Sequence, residues 1–191
     1  MAHDFNCPWC WIGLFQARRL QEEFGVAIDW RGYELYPEGL EWPDPPPKPP
    51  EAVQRPQPPG RLTLALAAAD MVLPPVKRPT RMRTHAAHEA VEYAKTEGCA
   101  DALVERLYRA HWEQGLDLRD PAVLAHVAKA VVSDVGALLD AVRDRRFAHA
   151  IVPFDEGAYA TGVTHLPAFL IGDERPMAQP YRVLSDAMRR A

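Results

Sequence analysis

Residues 4–13 read DFNCPWCWIG, and this stretch decides the fold of the chain. Cys7 and Cys10 stand three positions apart, directly before a stretch in which apolar residues follow helical spacing. A helix that begins here places both sulfurs in its first turn, where unpaired backbone N–H groups and the positive end of the helix dipole favour thiolate over thiol. Pro8 suits that turn, because its φ is fixed and its missing N–H would have no partner there. The stretch therefore predicts a reactive cysteine pair at a helix N-terminus.

The composition limits the classes of partner. The chain has 191 residues, with 22 basic and 26 acidic side chains and a net charge of −4. This near balance argues against nucleic acid or an anionic membrane surface as the main partner. No apolar run approaches the roughly 18 residues that a membrane-spanning helix needs, and the first residues show no secretory signal. We therefore expect a cytoplasmic protein that forms one sizeable domain or a domain with an insertion.

The cysteine count separates redox chemistry from other uses of this pair. The chain has three cysteines, Cys7, Cys10 and Cys99, which are too few and too odd in number for a framework of structural disulfides. In a reducing compartment, two cysteines at this spacing form a redox pair or half of a metal site. A zinc site would need two further ligands, for which Cys99 with His85 or His88 is the candidate set. We favour the redox pair and predict no metal.

The N-terminal quarter has the pattern of a strand, a helix and a second strand. Residues 2–5 are predicted to form a short strand that brings the cysteines to the end of a sheet. After Cys10 the helical spacing continues to Gly25, which ends the helix. Large apolar side chains at Val26, Ile28 and Trp30 alternate with Ala27, Asp29 and Arg31, the period of a half-buried strand. This order indicates the beginning of a βαβ unit.

A proline-rich segment follows. Residues 37–60 contain ten prolines among 24 positions. Proline at this density excludes helices and sheet ladders and favours an extended polyproline II conformation. We interpret the segment as a stiff surface connection; the alternative is a docking segment for the aromatic groove of a partner.

The middle of the chain shows helical spacing with no strand pattern. Gly98 separates two of the helices, and Asp120 and Pro121 have the residue types of an N-cap and a first helical position. Such a run suggests an all-helical subdomain inserted between two parts of a sheet. The predicted helices cover residues 62–72, 84–97, 101–114, 121–132 and 134–142.

The last part of the chain returns to strand patterns. Residues 147–160 are weakly helical, and Pro153 predicts a bend within them. The apolar run at residues 168–172 predicts a strand, and residues 177–178 predict a short final one. Residues 180–190 have the pattern of a closing amphipathic helix.

In this order, the motifs resemble those of the DsbA-like thioredoxin-fold family, and specifically its FrnE-like branch, which is related to 2-hydroxychromene-2-carboxylate isomerases and kappa-class glutathione transferases. The resemblance covers nearly the whole chain. It implies an α/β class, with a thioredoxin-like domain made of residues 1–60 and 150–191 and a helical insertion at residues 61–149. The motifs that carry it are Asp4-x-x-Cys7-Pro8-Trp9-Cys10-x-Ile12-Gly13, Glu34-Leu35-x-Pro37, Thr84-x-x-Ala87-His88, Gly115-x-Asp117, Gly162-Val163-Thr164-x-x-Pro167-x-Phe169 and Ala178-Gln179.

The resemblance also implies a catalytic mechanism. In such proteins the cysteine pair carries out thiol–disulfide exchange through a mixed disulfide with the substrate. Cys7 then corresponds to the exposed attacking sulfur and Cys10 to the buried resolving sulfur. Pro8 and Trp9, which stand between the cysteines, set the reduction potential in relatives.

Three residues of the C-terminal part complete the implied site. The family has a cis proline facing the cysteine pair, and by position this role falls on Pro167. The backbone of Leu166 would then lie beside the sulfurs, where it can hydrogen-bond an extended peptide. His165 stands where many relatives have glycine, so we expect it near the site as a donor to a thiolate. Neither His3 nor Cys99 is given a role, and His88 is interpreted as structural.

Glutathione chemistry is the competing function. The isomerase and transferase relatives use an activated serine or a lone thiol and bind glutathione beside the cis proline. A second cysteine argues against this function, because it would trap the nucleophile as a disulfide. The remaining alternatives are a zinc-holding module and a partner-binding protein without redox activity. The expected partners are protein or small-molecule thiols and disulfides, with glutathione as a candidate co-substrate and a homodimer through the helical insertion.

Overall fold

The computed structural model describes residues 1–40 and 58–191. Strand β1 (Ala2–His3), helix α1 (Pro8–Phe24) and strand β2 (Arg31–Glu34) come first. Five helices follow: α2 (Arg61–Ala68), α3 (His85–Thr96), α4 (Ala100–Trp112), α5 (Pro121–Ala128) and α6 (Val135–Arg143). A 3₁₀ turn (Ala148–Ala150), strand β3 (Val152–Pro153) and helices α7 (Glu156–Ala160) and α8 (Tyr181–Arg190) complete the order.

The strands β1, β2 and β3 form a parallel sheet in which each neighbouring pair of strands pairs over two residues. β2 lies between β1 and β3 and pairs with both in parallel. On the other side of β1, Ala168 forms antiparallel bridges with Ala2 and with Met177. The sheet therefore joins the first 34 residues of the chain to the last 40 or so, and the five helices α2–α6 lie between these two parts in sequence. The predicted α/β class is confirmed.

The second strand is not where the alternation of side chains placed it. Residues 26–30 alternate in burial as predicted, but the paired strand is Arg31–Glu34. The ladder with β1 begins where Ala2 lies opposite Arg31, and the Met1 ammonium group donates to the carbonyl of Asp29 at 2.5 Å. The prediction was wrong because alternating side chains indicate only that one face of the segment is buried. A strand also needs a neighbouring strand whose residues pair with its own.

The prediction for residues 147–160 was also wrong in part. The weakly helical pattern corresponds to a 3₁₀ turn and to α7, but strand β3 lies between them and pairs with β2 through Val152 and Pro153. Proline at a strand position is compatible with the edge of a sheet, because its missing N–H then breaks no ladder bond. At residues 168–178 the predicted strands are reduced to isolated bridges.

Helices α5 and α6 begin at the predicted caps, and helices α2 and α5 end earlier than predicted. Asp120 accepts from the backbone N–H of Ala122, with Pro121 at the first helical position, and Asp134 accepts from that of Ala137. α2 ends at Ala68 rather than at residue 72, and α5 ends at Ala128 rather than at residue 132. The predicted division into residues 1–60, 61–149 and 150–191 stays a prediction. Most of the proline-rich segment, residues 41–57, lies outside the described residues.

A buried carboxylate fastens the start of α3 to the end of β2. Glu34 is 2% exposed; its carboxylate accepts from the backbone N–H of His85 at 3.2 Å and lies 3.2 Å from Nδ1 of the same residue. Arg83 donates to it at 3.3 Å. Burial alone would raise the pKa of Glu34, but the hydrogen bonds and charges of His85 and Arg83 lower it below its usual value. The helical insertion is thus tied to the sheet by a charged contact.

We expect Glu34→Gln to lower the free energy of unfolding by about 2 kcal/mol near pH 7, because it weakens the hydrogen bonds that the buried carboxylate accepts from His85 and Arg83. A carboxyl with a lowered pKa in the folded chain stabilises the fold above its unfolded pKa, and this contribution is lost as the pH falls through the folded value. The difference between wild type and variant should therefore shrink below the ordinary value of 4.5. Urea titrations at a series of pH values measure it, with the exposed Glu156→Gln as control. A difference that does not vary with pH would contradict the assignment.

Candidate active site

The cysteine pair lies at the start of α1, as predicted. Cys7 is the N-cap residue and Pro8 the first helical residue. The backbone N–H of Cys10 points at the Cys7 sulfur, with 3.4 Å between nitrogen and sulfur, and also lies 3.0 Å from the Cys7 carbonyl oxygen. A negative charge on the Cys7 sulfur would therefore face an N–H group at the positive end of a 17-residue helix. This is the arrangement in which a thiolate is stabilised without a basic side chain.

The two sulfurs differ in burial. Cys10 is fully buried and Cys7 is 5% exposed, so the expectation of an exposed attacking sulfur was wrong: both cysteines are buried. Burial raises the pKa of the Cys10 thiol well above its usual value, and the hydrogen bond and charge of Cys7 raise it further. Both cysteines are free thiols in this structure. The asymmetry makes Cys10 a poor thiolate while the pair is reduced.

Leu166 and Pro167 face the pair across the helix start. The peptide bond between them is cis, and the carbonyl oxygen of Leu166 lies 3.7 Å from the Cys7 sulfur. The carbonyl of Pro167 accepts from the backbone N–H of Ala178 at 2.9 Å. Gly13 permits the close approach of α1, because a Cβ there would lie 3.0 Å from Cγ of Pro167. The structure therefore brings together residues 159 positions apart in the chain, as the motifs indicated.

A groove of about 500 Å³ begins beside this contact. Trp9 and Pro167 line it near the cysteines, and the rest of its wall comes from α1, residues 61–71 and residues 178–181. The guanidinium of Arg61 lies 5.7 Å from the ring centre of Trp9, and that of Arg19 lies 3.9 Å from the ring centre of Tyr181. No aspartate or glutamate from the described part of the chain lines the groove. Its chemistry suits a ligand with an apolar body and a negative group.

His165 is exposed, and its Nδ1 lies 3.1 Å from the hydroxyl of Thr164. Its backbone is adjacent to Leu166, but the observed hydrogen bond is to Thr164 rather than to a thiol. The expectation that it donates to a thiolate stays a prediction.

Asp4, which the sequence reasoning used only as a motif position, supports the whole site. Its carboxylate is fully buried and accepts from three groups: the backbone N–H of Asn6 at 2.6 Å, the backbone N–H of Leu35 at 2.8 Å and the hydroxyl of Thr84 at 2.8 Å. These partners belong to the turn before Cys7, to the residue after β2 and to the start of α3. A charged residue in a short apolar strand was the signal in the sequence.

Asn6 makes a second link to the insertion. Its side-chain amide donates to the carbonyl of Met82 at 2.5 Å and accepts from the backbone N–H of Met82 at 3.1 Å. This two-point contact pairs the turn before Cys7 with the segment that leads into α3. The position of the cysteines therefore depends on the insertion as well as on the sheet.

The described residues offer no ligand set for the zinc alternative. Within residues 1–40 and 58–191, no group of three or more His, Cys, Asp or Glu side chains is arranged to hold a metal ion. Cys99 is the N-cap residue of α4, and its thiol lies 3.6 Å from the carbonyl of Ala94. In the same part of the chain, no helix is long and apolar enough to cross a membrane.

In the reduced protein near neutral pH, we expect iodoacetamide to label Cys7 at least about tenfold faster than Cys10, because each unit by which a thiol pKa rises lowers its thiolate fraction tenfold. Timed labelling followed by peptide mass spectrometry measures both rates. A Cys99→Ala background removes the third thiol, and the urea-unfolded chain is the control in which both sites should label alike. Equal rates in the folded protein would contradict the assigned asymmetry.

We expect Asp4→Asn to lower the free energy of unfolding by about 2–4 kcal/mol, because an amide presents one acceptor to three donors and leaves at least one of them unpaired. Urea unfolding of the reduced protein measures the loss. Asp173→Asn, which changes an exposed carboxylate, is the matched control and should have almost no effect. A loss below about 0.5 kcal/mol for Asp4→Asn, the range of ordinary surface substitutions, would show that the carboxylate does not hold the site together.

Solved structures share this architecture. 2-Hydroxychromene-2-carboxylate isomerase superposes with a TM-score of 0.70 at 17% identity, over 99% of this chain and 93% of that protein. The cytosolic disulfide reductase DsbM from Pseudomonas aeruginosa superposes with a TM-score of 0.63 at 18% identity, over 100% and 98% of the two chains. Its structure with GSH gives a TM-score of 0.61 at 17% identity, with the same coverage. At these identities the similarity establishes the fold.

The sequence itself identifies the family. No curated protein matches the chain. The profile of the DSBA-like thioredoxin domain matches residues 3–189, which include the cysteine pair, the helical insertion and Pro167. The predicted thioredoxin-like fold is thereby confirmed, and the chain belongs to the DSBA-like thioredoxin domain family.

Proposed function

We propose that the protein is a thiol–disulfide oxidoreductase of the disulfide oxidase or isomerase type and belongs to the FrnE-like branch of its family. The observation that carries the proposal is the position of the Cys7 sulfur. It lies between the Cys10 N–H at the start of α1 and the carbonyl of Leu166, with the fully buried Cys10 behind it. One sulfur can reach a substrate and the other can reach only the first sulfur, which is the requirement for exchange through a mixed disulfide.

The exchange balances without a cofactor. In the oxidised protein, a substrate thiolate attacks the Cys7 sulfur, the bond between Cys7 and Cys10 breaks, and Cys10 leaves as a thiolate that takes up a proton. A second substrate thiolate then attacks the substrate sulfur of the mixed disulfide, and Cys7 leaves as a thiolate facing the Cys10 N–H. The substrate is oxidised to a disulfide and the pair is reduced to two thiols. The reverse sequence reduces a substrate disulfide.

The groove supports a substrate that extends away from Cys7. An extended segment can hydrogen-bond the backbone near Leu166 while its apolar groups contact Trp9 and α2, and an acidic group would face Arg19 or Arg61. Protein and small-molecule thiols and disulfides fit this description. Glutathione, which is bound in the DsbM structure, is our candidate co-substrate. We also propose a cytoplasmic location and, from the family resemblance, a homodimer through the insertion.

A glutathione-dependent isomerase or transferase is the second candidate. It is favoured by the TM-score of 0.70 with 2-hydroxychromene-2-carboxylate isomerase and by the apolar groove with its two arginines. The two functions differ in their need for Cys10. Isomerase or transferase activity that survives Cys10→Ser would favour the second candidate, because such chemistry needs no resolving thiol.

The deciding experiment is the reduction potential of the Cys7–Cys10 pair in glutathione redox buffers, read by mass after acid quenching and alkylation in a Cys99→Ala background. We expect a reversible two-electron couple at about −120 to −230 mV, the range of known disulfide oxidases, isomerases and glutaredoxins. A value near about −270 mV would make the protein a thioredoxin-like reductant instead.

Other outcomes would overturn the proposal. If no reversible couple exists and a glutathione adduct forms at one cysteine, the glutathione-dependent alternative is favoured. If bound metal protects both thiols, the redox-pair assignment fails. Cys7→Ser and Cys10→Ser serve as controls, and each should abolish the two-electron couple.

A further inference from the structure

The groove beside the cysteine pair runs along one face of α1. Trp9, Ile12, Gln16 and Arg19 line it, and their spacing of three, four and three positions places them in one row on the helix. Trp9 and Arg19 are ten positions apart, so they are separated by about 15 Å along the helix axis, at about 1.5 Å per residue. The groove therefore has an inner end beside Cys7 and an outer end at Arg19.

Each end of the groove has an arginine that lies against an aromatic ring. At the inner end, the guanidinium of Arg61 lies 5.7 Å from the ring centre of Trp9. At the outer end, the guanidinium of Arg19 lies 3.9 Å from the ring centre of Tyr181. Within residues 1–40 and 58–191, neither guanidinium forms an ion pair with another side chain. No described carboxylate therefore neutralises these two charges at close range.

The outer end holds its arginine more firmly than the inner end. Glu23 lies one turn after Arg19 on α1, the spacing at which such residues usually pair. Its carboxylate instead accepts from the hydroxyl of Tyr181 at 2.7 Å, from Arg189 at 2.8 Å and from Ser185 at 3.4 Å. These bonds fix the Tyr181 ring and leave the Arg19 guanidinium, which stacks on that ring, for a ligand.

The wall between the two ends is apolar. Phe15 and Leu64, which are 37% and 55% exposed, line it together with Ala65 and Met71. Large apolar side chains that share one open groove favour a ligand with apolar groups along its length. Glutathione carries no apolar side chain and gains little from this wall.

The inner end suits the backbone of a polypeptide. The carbonyl oxygen of Leu166 lies 3.7 Å from the Cys7 sulfur, and neither the carbonyl nor the N–H of Leu166 is bonded to another described backbone group. An extended polypeptide can pair with such a segment through its main chain while its side chains enter the groove. At about 3.3 Å per residue, about five extended residues cover the distance of about 15 Å to the outer end.

We propose that Arg19, held by Tyr181, selects polypeptide substrates that carry an acidic side chain about five residues from the reacting cysteine. The inference rests on the thiol–disulfide exchange proposed above and names the substrate class of that site. The substrate cysteine lies at Cys7, its neighbours contact the apolar wall, and its carboxylate pairs with Arg19. Arg19 determines specificity, and Tyr181, which acts through Arg19, is a positioning residue.

The test compares model peptides that differ only in charge. Each peptide is acetylated and amidated, and its central cysteine carries thiopyridine as a mixed disulfide among alanine, leucine and serine residues. One peptide has glutamate and the other glutamine at the fifth position on both sides of the cysteine, so either orientation of the bound chain is tested. In reduced protein with Cys10→Ala and Cys99→Ala, Cys7 attacks the peptide sulfur, and the released thiopyridone gives the second-order rate constant under stopped flow.

We expect the glutamate peptide to react about fivefold faster than the glutamine peptide at low salt, the size of effect expected for a well-formed but exposed ion pair. Salt should reduce this ratio. Arg19→Gln should lower it to about one, and Tyr181→Leu to about two, because the guanidinium is no longer held in place. Arg182→Gln, which removes an exposed charge of α8 that does not line the groove, is the matched control and should keep the ratio.

Two further probes test the distance and the substrate class. A peptide with glutamate at the second position on both sides should react at the same rate with and without Arg19→Gln, because its carboxylates lie too close to the cysteine. The thiopyridine disulfide of glutathione should also be insensitive to Arg19→Gln, because its three residues span about 10 Å, less than the groove. A ratio between peptides does not change when a variant merely loses folded protein, so it separates recognition from stability.

The outcomes distinguish this inference from the proposed function. Equal rates for the two peptides, or a preference that Arg19→Gln leaves unchanged, would overturn selection by Arg19 and leave the exchange mechanism intact. A glutathione rate that depends on Arg19, without a preference among peptides, would assign the outer end to small acidic thiols instead. If Cys7 forms no mixed disulfide with any of these probes, the exchange mechanism fails, and the inference fails with it.

Discussion

The active site depends first on the buried carboxylate of Asp4. Its three hydrogen bonds reach the turn before Cys7, the end of β2 and the start of α3. A charge at full burial is tolerated because these donors compensate for lost hydration. Leaving any of these donors unpaired would cost free energy. This cost fixes the three segments in one arrangement. The geometry at the Cys7 sulfur therefore depends on the junction between the sheet and the insertion. Asp4 fixes the position of this sulfur, and the dipole of α1 acts on it there.

Burial gives the two cysteines different chemistry. Burial raises the pKa of Cys10 and favours its thiol form, while Cys7 is slightly exposed and has an N–H group facing its sulfur. The same burial removes the water that would otherwise accept the Cys10 proton.

Short-range sequence patterns predicted the structural features that depend on interactions between residues close together in the chain. The start of α1 at Pro8, the caps at Asp120 and Asp134 and the closing helix follow from residue types within a few positions of each other. The cysteine pair and the position of Pro167 followed from motifs. The register of β2 did not, because it depends on where β1 begins, and β3 is two residues long and contains a proline. The contact of Tyr108 with His3 joins residues 105 positions apart, which no spacing rule relates. Asp4, His3 and Tyr108 become informative only when burial is known.

The groove and the cysteine pair constrain function in different ways. A groove with an apolar wall and two guanidinium groups selects a ligand by shape and charge, and it would serve an isomerase or transferase as well as an oxidoreductase. The chemistry at its inner end is what separates them. A single nucleophilic side chain needs no second reactive group, whereas a resolving thiol needs access to the first sulfur and exclusion from solvent. Cys10 has the second of these by burial, and its contact with Cys7 supplies the first. A glutathione isomerase would gain nothing from that set of contacts, and this is the physical ground on which the disulfide function is preferred.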